Sequence, residues 1–213
     1  MFSTPDTSPI RLTAGPLTLR PWTPDDAGAL AELYQDEALR RWAAAPVHDE
    51  ASALRWVAEQ RRGRETGERF AFAVEETGTA GARPAGNVVL KRPAGDPAAA
   101  EVGYWTAAHA RGRGVAPRAL AALADWAFDT FAGEGLVRLE LLHQVDNTAS
   151  CRVAEKSGFV LSGVLPAAPP AFPLDGHRHV RRSPAAVRPQ PEHPFPSSLP
   201  STSTTGPHTG VGG

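Results

Sequence analysis

The run Arg111-Gly112-Arg113-Gly114-Val115-Ala116 constrains the fold more than any other segment, because it joins a strand-like stretch, Glu101 to Thr106, to an amphipathic helix expected from Pro117. A strand, a tight glycine turn and a helix in immediate succession put the unpartnered N–H groups of a first helical turn at the end of a sheet. Two glycines let the backbone approach an anion closely, and Pro117 at the first helical position gives up only an N–H that has no intrahelical acceptor. The helix dipole favours negative charge there, and Arg111 and Arg113 add cations suited to a diphosphate or a ribose phosphate. The segment is therefore expected to cradle a phosphorylated cofactor through Arg111, Gly112, Arg113, Gly114, Val115 and Ala116. A plain turn between strand and helix is the competing reading.

Known phosphate loops narrow the choice. A P-loop needs four residues between its glycines and then Gly-Lys-Ser/Thr, and no such run occurs, so nucleotide hydrolysis loses its main support. The dinucleotide fingerprint fails as well, since Gly112-Arg113-Gly114 is followed by Val115, Ala116 and Pro117 without a third glycine.

The rest of the chain reads as alternating strands and helices. Leu17 to Trp22 alternates as a strand, and Thr23 with Pro24 opens a helix through Ala27, Leu30, Leu33 and Tyr34 that ends near Arg41. A second helix is expected over 49–62, with Leu54 and Val57 facing inward and Gly63 and Gly67 marking its exit. Phe70 to Val74 and Asn87 to Lys91 read as strands joined by a Gly/Ala/Pro-rich loop at 77–86. The helix from Pro117 carries Leu120, Leu123, Ala127, Phe128 and Phe131 on one stripe, which reads as core packing. Val137 to Leu142, Phe159 to Leu165 and His177 to Arg181 complete the strands. The chain divides into a flexible N-terminus at 1–14, one domain at 15–182 and a Pro/Ser/Thr/Gly-rich tail at 183–213 that buries too little to offset its ordering entropy.

A second motif supplies the context. In Asn147-Thr148-Ala149-Ser150-Cys151-Arg152-Val153-Ala154-Glu155-Lys156-Ser157-Gly158-Phe159, Asn147 suits a helix N-cap and Gly158 the left-handed residue that ends the helix. The R-x-x-G-x-A loop and this N-x-x-S-x-x-x-x-E-K-x-G-F segment, in this order, resemble the GNAT superfamily of acyl-CoA-dependent N-acetyltransferases. The opening Leu17-Thr18-Leu19-Arg20-Pro21-Trp22 and the strand Glu101-Val102-Gly103-Tyr104-Trp105 resemble the RimJ/RimL-type branch. The resemblance implies a mixed α/β fold with a central, mostly antiparallel sheet splayed in the middle and flanked by helices. It also implies acetyl-CoA as acyl donor and a primary amine as acceptor, either a protein N-terminus or a small-molecule amine.

Site residues follow from the chemistry of acetyl transfer and from the resemblance. Glu101 is the candidate base for the incoming ammonium, with a salt-bridged surface carboxylate as the alternative. By strand alternation Glu101, Gly103 and Trp105 share one face and Val102, Tyr104 and Thr106 the other. The resemblance implies that the pantetheine arm lies between the Gly103 strand and the Val137 strand, with Gly103 as candidate bulge residue. The backbone N–H near Trp105 or Thr106 would polarise the thioester oxygen. It implies further that Asn147 binds the pantetheine amide and that Ser150 stands near the sulfur as proton donor, with Tyr104 as the rival general acid. His143 is an alternative base but reads better as a hydrogen-bonded structural residue. Cys151 beside a helix N-terminus opens an acyl-cysteine route, which fits the resemblance less well than direct transfer. Trp22, Trp42 and Trp56, with the loop at 41–48, are candidate walls of the acceptor side.

Composition excludes several other classes. A net charge of -1 gives no footprint for nucleic acid or an anionic membrane. Cys151 is the only cysteine, which rules out intramolecular disulfides and multi-cysteine metal sites, and no metal is expected. No apolar run approaches a membrane span, and the polar start lacks a signal peptide's apolar region, so a cytoplasmic protein is expected, as monomer or homodimer. A coenzyme-binding sensor or interaction module without chemistry is the alternative function.

Overall fold

A computed structural model describes residues 10–42, 47–76 and 83–187. Its frame is an eight-stranded sheet built from β1 (Leu12–Ala14), β2 (Leu17–Pro21), β3 (Arg69–Glu76), β4 (Gly86–Lys91), β5 (Ala99–Thr106), β6 (Arg138–Gln144), β7 (Val160–Leu165) and β8 (Gly176–Arg182). The strand order is β1-β2-β3-β4-β5-β6-β8-β7, and every neighbouring pair is antiparallel except β5 and β6. Helices α1 (Ala27–Leu33), α2 (Glu37–Trp42) and α3 (Glu50–Glu65) lie before β3. Helix α4 (Val115–Thr130) connects β5 to β6, α5 (Thr148–Lys156) follows β6, and α6 (Pro184–Val187) follows β8. Among the described residues no helix is long and apolar enough to cross a membrane.

Helices cover both faces, so the central strands are apolar on both sides. In β3, Phe70, Phe72 and Val74 pack with Leu17, Leu19, Val88 and Leu90 under Leu120, Leu123 and Phe128 of α4. The alternate residues Ala71 and Ala73, with Val89, face Leu30, Trp56 and Val57 of α1 and α3. Small residues on that face leave room for Trp22 and Trp56, whose rings meet edge-on at 5.3 Å. Full burial of a side chain such as Phe72 or Leu120 contributes about 1.5–3 kcal/mol, so these two layers hold the sheet.

Several boundaries differ from the sequence reading, each for a local reason. The sheet starts at Leu12, inside the segment expected to be a flexible N-terminus, because Leu12 and Ala14 pack against the α4 layer. The expected helix from Thr23 to Arg41 is interrupted at Tyr34–Asp36. There the Asp36 side chain accepts the Leu39 N–H at 2.8 Å and starts α2 anew. Leu54 is 42% exposed, because the inward stripe of α3 is Ala53, Trp56, Val57 and Gln60, and Leu54 lies one residue off it. Helix α3 also runs through Gly63, where a Cβ would fall 2.6 Å from that of Arg69. At the other end of the chain, Ser183 is buried and donates its N–H to the Val137 carbonyl, and α6 follows. The expected tail from 188 onward lies outside the described residues.

Candidate active site

The sheet opens where its one parallel pair ends. Strands β5 and β6 are in register only from Ala99↔Arg138 to Val102↔Leu141. Beyond that point β5 continues against β4 to Thr106, and β6 continues against β8 to Gln144. Gly103 through Thr106 therefore face a gap on the β6 side. The β4–β5 register is unbroken across Gly103, so this residue is not a bulge; its expected role is replaced by divergence of the two strands. A Cβ at Gly103 would meet Val89 at 3.3 Å, which gives the glycine a packing reason instead.

Backbone alternation decides which N–H groups reach the gap. The Ala107 N–H donates to the Ala85 carbonyl at 2.9 Å. In an antiparallel ladder the bonded pairs recur every second residue, so Trp105 and Gly103 also bond toward β4, and the N–H groups of Tyr104 and Thr106 point into the gap. Of the two residues expected to polarise a thioester, Thr106 faces the gap and Trp105 turns away. The Trp105 ring lies on the α1–α3 face against Tyr34 and Trp22, each at 5.9 Å between centroids.

Past Thr106 the chain makes a short 3-10 turn, Ala108–Ala110, and enters α4 through Arg111–Gly114. Gly112 (φ 73°) and Gly114 (φ 75°) take left-handed conformations, which non-glycine residues adopt at a cost. The helix begins at Val115 rather than Pro117, so Pro117 is its third residue, still within the turn whose N–H groups have no intrahelical acceptors. Arg111 forms an ion pair with Asp36, with one Nη donating to Oδ2 at 3.2 Å, and Arg113 pairs with Glu76 at 2.6 Å. Both expected phosphate ligands thus bind carboxylates at the rim of the turn.

Across the gap, Asn147 caps α5 by accepting the Ser150 N–H at 3.2 Å. Ser150 is buried, and its Oγ lies 3.0 Å from the Tyr104 hydroxyl. Burial pushes the Tyr104 phenol above its ordinary pKa, against a smaller lowering by the Ser150 hydrogen bond, so the hydroxyl keeps its proton at neutral pH. The two groups offered as rival proton donors are therefore one hydrogen-bonded pair. Glu101 lies on the opposite face, at the closed end of the gap, with Oε1 2.5 Å from the Lys91 ammonium.

This arrangement can bind an anion at a helix mouth, hold an extended arm between diverging strands and donate a proton from a buried hydroxyl. A family model for the acetyltransferase (GNAT) domain matches residues 16–160. The chain belongs to the GNAT acetyltransferase family. It is similar in fold to solved GNAT structures. One is a RimL ribosomal L7/L12 alpha-N-protein acetyltransferase with coenzyme A bound as a disulfide to a cysteine (21% identity, 81% of this chain and 98% of that one, TM-score 0.71). A second is the Mycobacterium smegmatis RimJ with a coenzyme A disulfide (24%, 85% and 88%, 0.68). A third is the microcin C7 self-immunity acetyltransferase MccE with acetyl-CoA and AMP (20%, 79% and 93%, 0.69). Among curated proteins no sequence match is found.

The GNAT domain carries further polar groups that the motifs did not reveal. Arg118, one turn into α4, donates to the Arg113 carbonyl at 3.0 Å. With Lys156 and Gly114 it lines a cavity of about 350 Å³ beside the helix mouth. A basic residue at the i+4 position from Gly114 was the available signal. On the acceptor side, Trp22 and Trp56 are buried core residues. Trp42 is 38% exposed with the Arg41 guanidinium 4.7 Å from its ring centre, and 43–46 of the adjoining loop lie outside the described residues. His143 donates Nδ1–H to the Gln144 carbonyl at 2.9 Å, while Nε2 approaches Cys151. His177 and His179 also face Cys151; their His-x-His spacing on a strand was the overlooked sign that both share a face.

Proposed function

We propose that this GNAT domain transfers an acetyl group from acetyl-CoA to a primary amine by direct attack in a ternary complex. The observation that carries the reading is the ladder that stops at Val102↔Leu141, leaving the N–H groups of Tyr104 and Thr106 directed at a gap that leads to the α4 mouth. The N–H groups of Gly112 through Ala116 bind the coenzyme diphosphate, with Arg118 and Lys156 adding positive charge beside it. Arg111 and Arg113 keep the turn in shape through Asp36 and Glu76. Asn147 binds the pantetheine arm with the amide group that its capping bond leaves over.

In this mechanism the amine nitrogen attacks the thioester carbonyl while the N–H groups of Tyr104 and Thr106 stabilise the oxyanion. Glu101 takes a proton from the amine through water. As the carbon–sulfur bond breaks, the Tyr104 hydroxyl protonates the thiolate, and Ser150 orients that hydroxyl from 3.0 Å. The fold shared with the RimL ribosomal L7/L12 alpha-N-protein acetyltransferase favours a protein N-terminus as acceptor.

The test is thiol release from acetyl-CoA by the purified chain against a panel of peptide N-termini, polyamines and aminoglycosides. Acceptor-dependent release that falls about 100-fold or more in Glu101→Gln supports the reading. Tight coenzyme binding without release for any acceptor would replace it with a sensor.

A further inference from the structure

Beside the gap, α5 lies over the β6–β8 pair and brings four metal-ligating side chains together. His143 and His177 are direct cross-strand partners, His179 is two residues along β8 on the same face, and Cys151 projects from α5. Their ligand atoms all lie within 4.8 Å of one another. Cys151 Sγ is 3.3 Å from His177 Nδ1 and 3.7 Å from His143 Nε2. A tetrahedral zinc site with Zn–S near 2.3 Å and Zn–N near 2.05 Å has an S···N edge of about 3.5 Å, midway between those two distances.

Two further observations point to a ligand. His179 is 1% exposed, yet neither ring nitrogen has a hydrogen-bond partner, an arrangement that buried polar groups ordinarily avoid. His143 is already oriented, because its Nδ1 faces the Gln144 carbonyl and must carry the proton, so the lone pair of Nε2 points at Cys151. A metal-ligating histidine is ordinarily fixed in this way by its second nitrogen.

We propose that Cys151, His143, His177 and His179 form a tetrahedral site for zinc that fastens α5 to β6 and β8. Four protein ligands close the coordination sphere, so the ion is structural and leaves no position for water or substrate. Binding deprotonates the Cys151 thiol and releases that proton to solvent. No two of the ligand atoms are more than 4.8 Å apart, so reaching tetrahedral edges of about 3.4–3.5 Å needs a closure of about 1.4 Å at most, a change that side-chain torsions can supply. The site is independent of the acetyl-transfer reading, but α5 also presents Asn147 and Ser150, so the ion would fix their distance from Tyr104.

The test uses the full chain stripped with a chelator and then titrated with Co²⁺ and Zn²⁺, read by absorption, metal analysis and thermal melting. One equivalent of Co²⁺ should give the intense tetrahedral visible bands and a thiolate charge-transfer band, both removed by Zn²⁺, and the melting temperature should rise with either ion. In Cys151→Ser the charge-transfer band should vanish and zinc affinity fall at least about 100-fold. His179→Gln, a second variant that keeps a polar side chain, should lower the affinity in the same way. A metal-free chain that is unfolded and refolds on zinc also supports the site. A folded chain that binds well under one equivalent overturns it. So does zinc binding that survives unchanged in both Cys151→Ser and His179→Gln, which would place the ion away from these four residues.

Discussion

At the residue scale, the proposed chemistry turns on the Tyr104–Ser150 pair. Each hydroxyl alone is an ordinary polar group; at 3.0 Å in a half-buried cleft, one orients the other. Under the proposed mechanism Tyr104→Phe lowers kcat by at least about 100-fold with little change in KM for acetyl-CoA, whereas Ser150→Ala gives a smaller loss, both measurable by thiol release. Burial raises the pKa of Tyr104 above its ordinary value near 10, so the acid stays protonated and the alkaline limb of its contribution lies above that value. The loss in Tyr104→Phe should accordingly be uniform between about pH 6 and 9. Gly114→Val forces a branched side chain into a left-handed conformation at the helix mouth, and calorimetry should find coenzyme affinity reduced at least about 10-fold. The placement of Asn147, Ser150 and Gly114 at helix starts was legible in the sequence, because short motifs mark those ends. The pairing of Tyr104 with Ser150 was not, since it depends on how far two strands diverge.

At the element scale, caps and close approaches set the boundaries. The turn before α1 is held by Asp26, which accepts from the Arg20 guanidinium at 2.7 Å twice and from the Thr23 N–H at 2.8 Å. Burial alone would raise the pKa of Asp26, but the bonds from Arg20 and Thr23 outweigh it and hold it below the usual carboxylate range. A folded pKa below the unfolded one means that this stabilisation is complete above about pH 4 and is lost as pH falls through the depressed value. Asp26→Asn should cost on the order of 1–3 kcal/mol in urea unfolding at pH 7, and the difference from wild type should shrink in acid. Strand types, the α4 stripe and the Gly158 stop could be read from periodicity and glycine placement. The break between α1 and α2 had a local sign, Asp36 three residues before Leu39, whereas the ion pair of Asp36 with Arg111 joins residues 75 apart and left none. Glycine 86 is a further case: a Cβ there would lie 2.6 Å from the Trp105 carbonyl, a backbone contact that no sequence pattern announces.

At the scale of the whole molecule, the sheet has two parts. Strands β1 to β5 form one antiparallel block and β6, β8 and β7 another, and four residue pairs join them in parallel. Helix α4 reinforces the junction by packing on β1, β2, β4 and β5 while touching α5. The alternating order of strands and helices was legible from the chain. The site of the rupture was not, because Gly103 to Thr106 read as ordinary strand and only their missing partner marks them. Hydrogen exchange followed by mass spectrometry should find peptides covering 103–106 and 142–144 less protected than β3 and β4, with acetyl-CoA slowing exchange on both sides together. Equal protection without ligand would mean that the blocks do not open independently.

The short junction gives the molecule a built-in crease. Bending along it changes the angle between the blocks while each keeps its own hydrogen bonds intact. Under the proposed function, a coenzyme arm wedged into the crease would act as a strut between the two blocks.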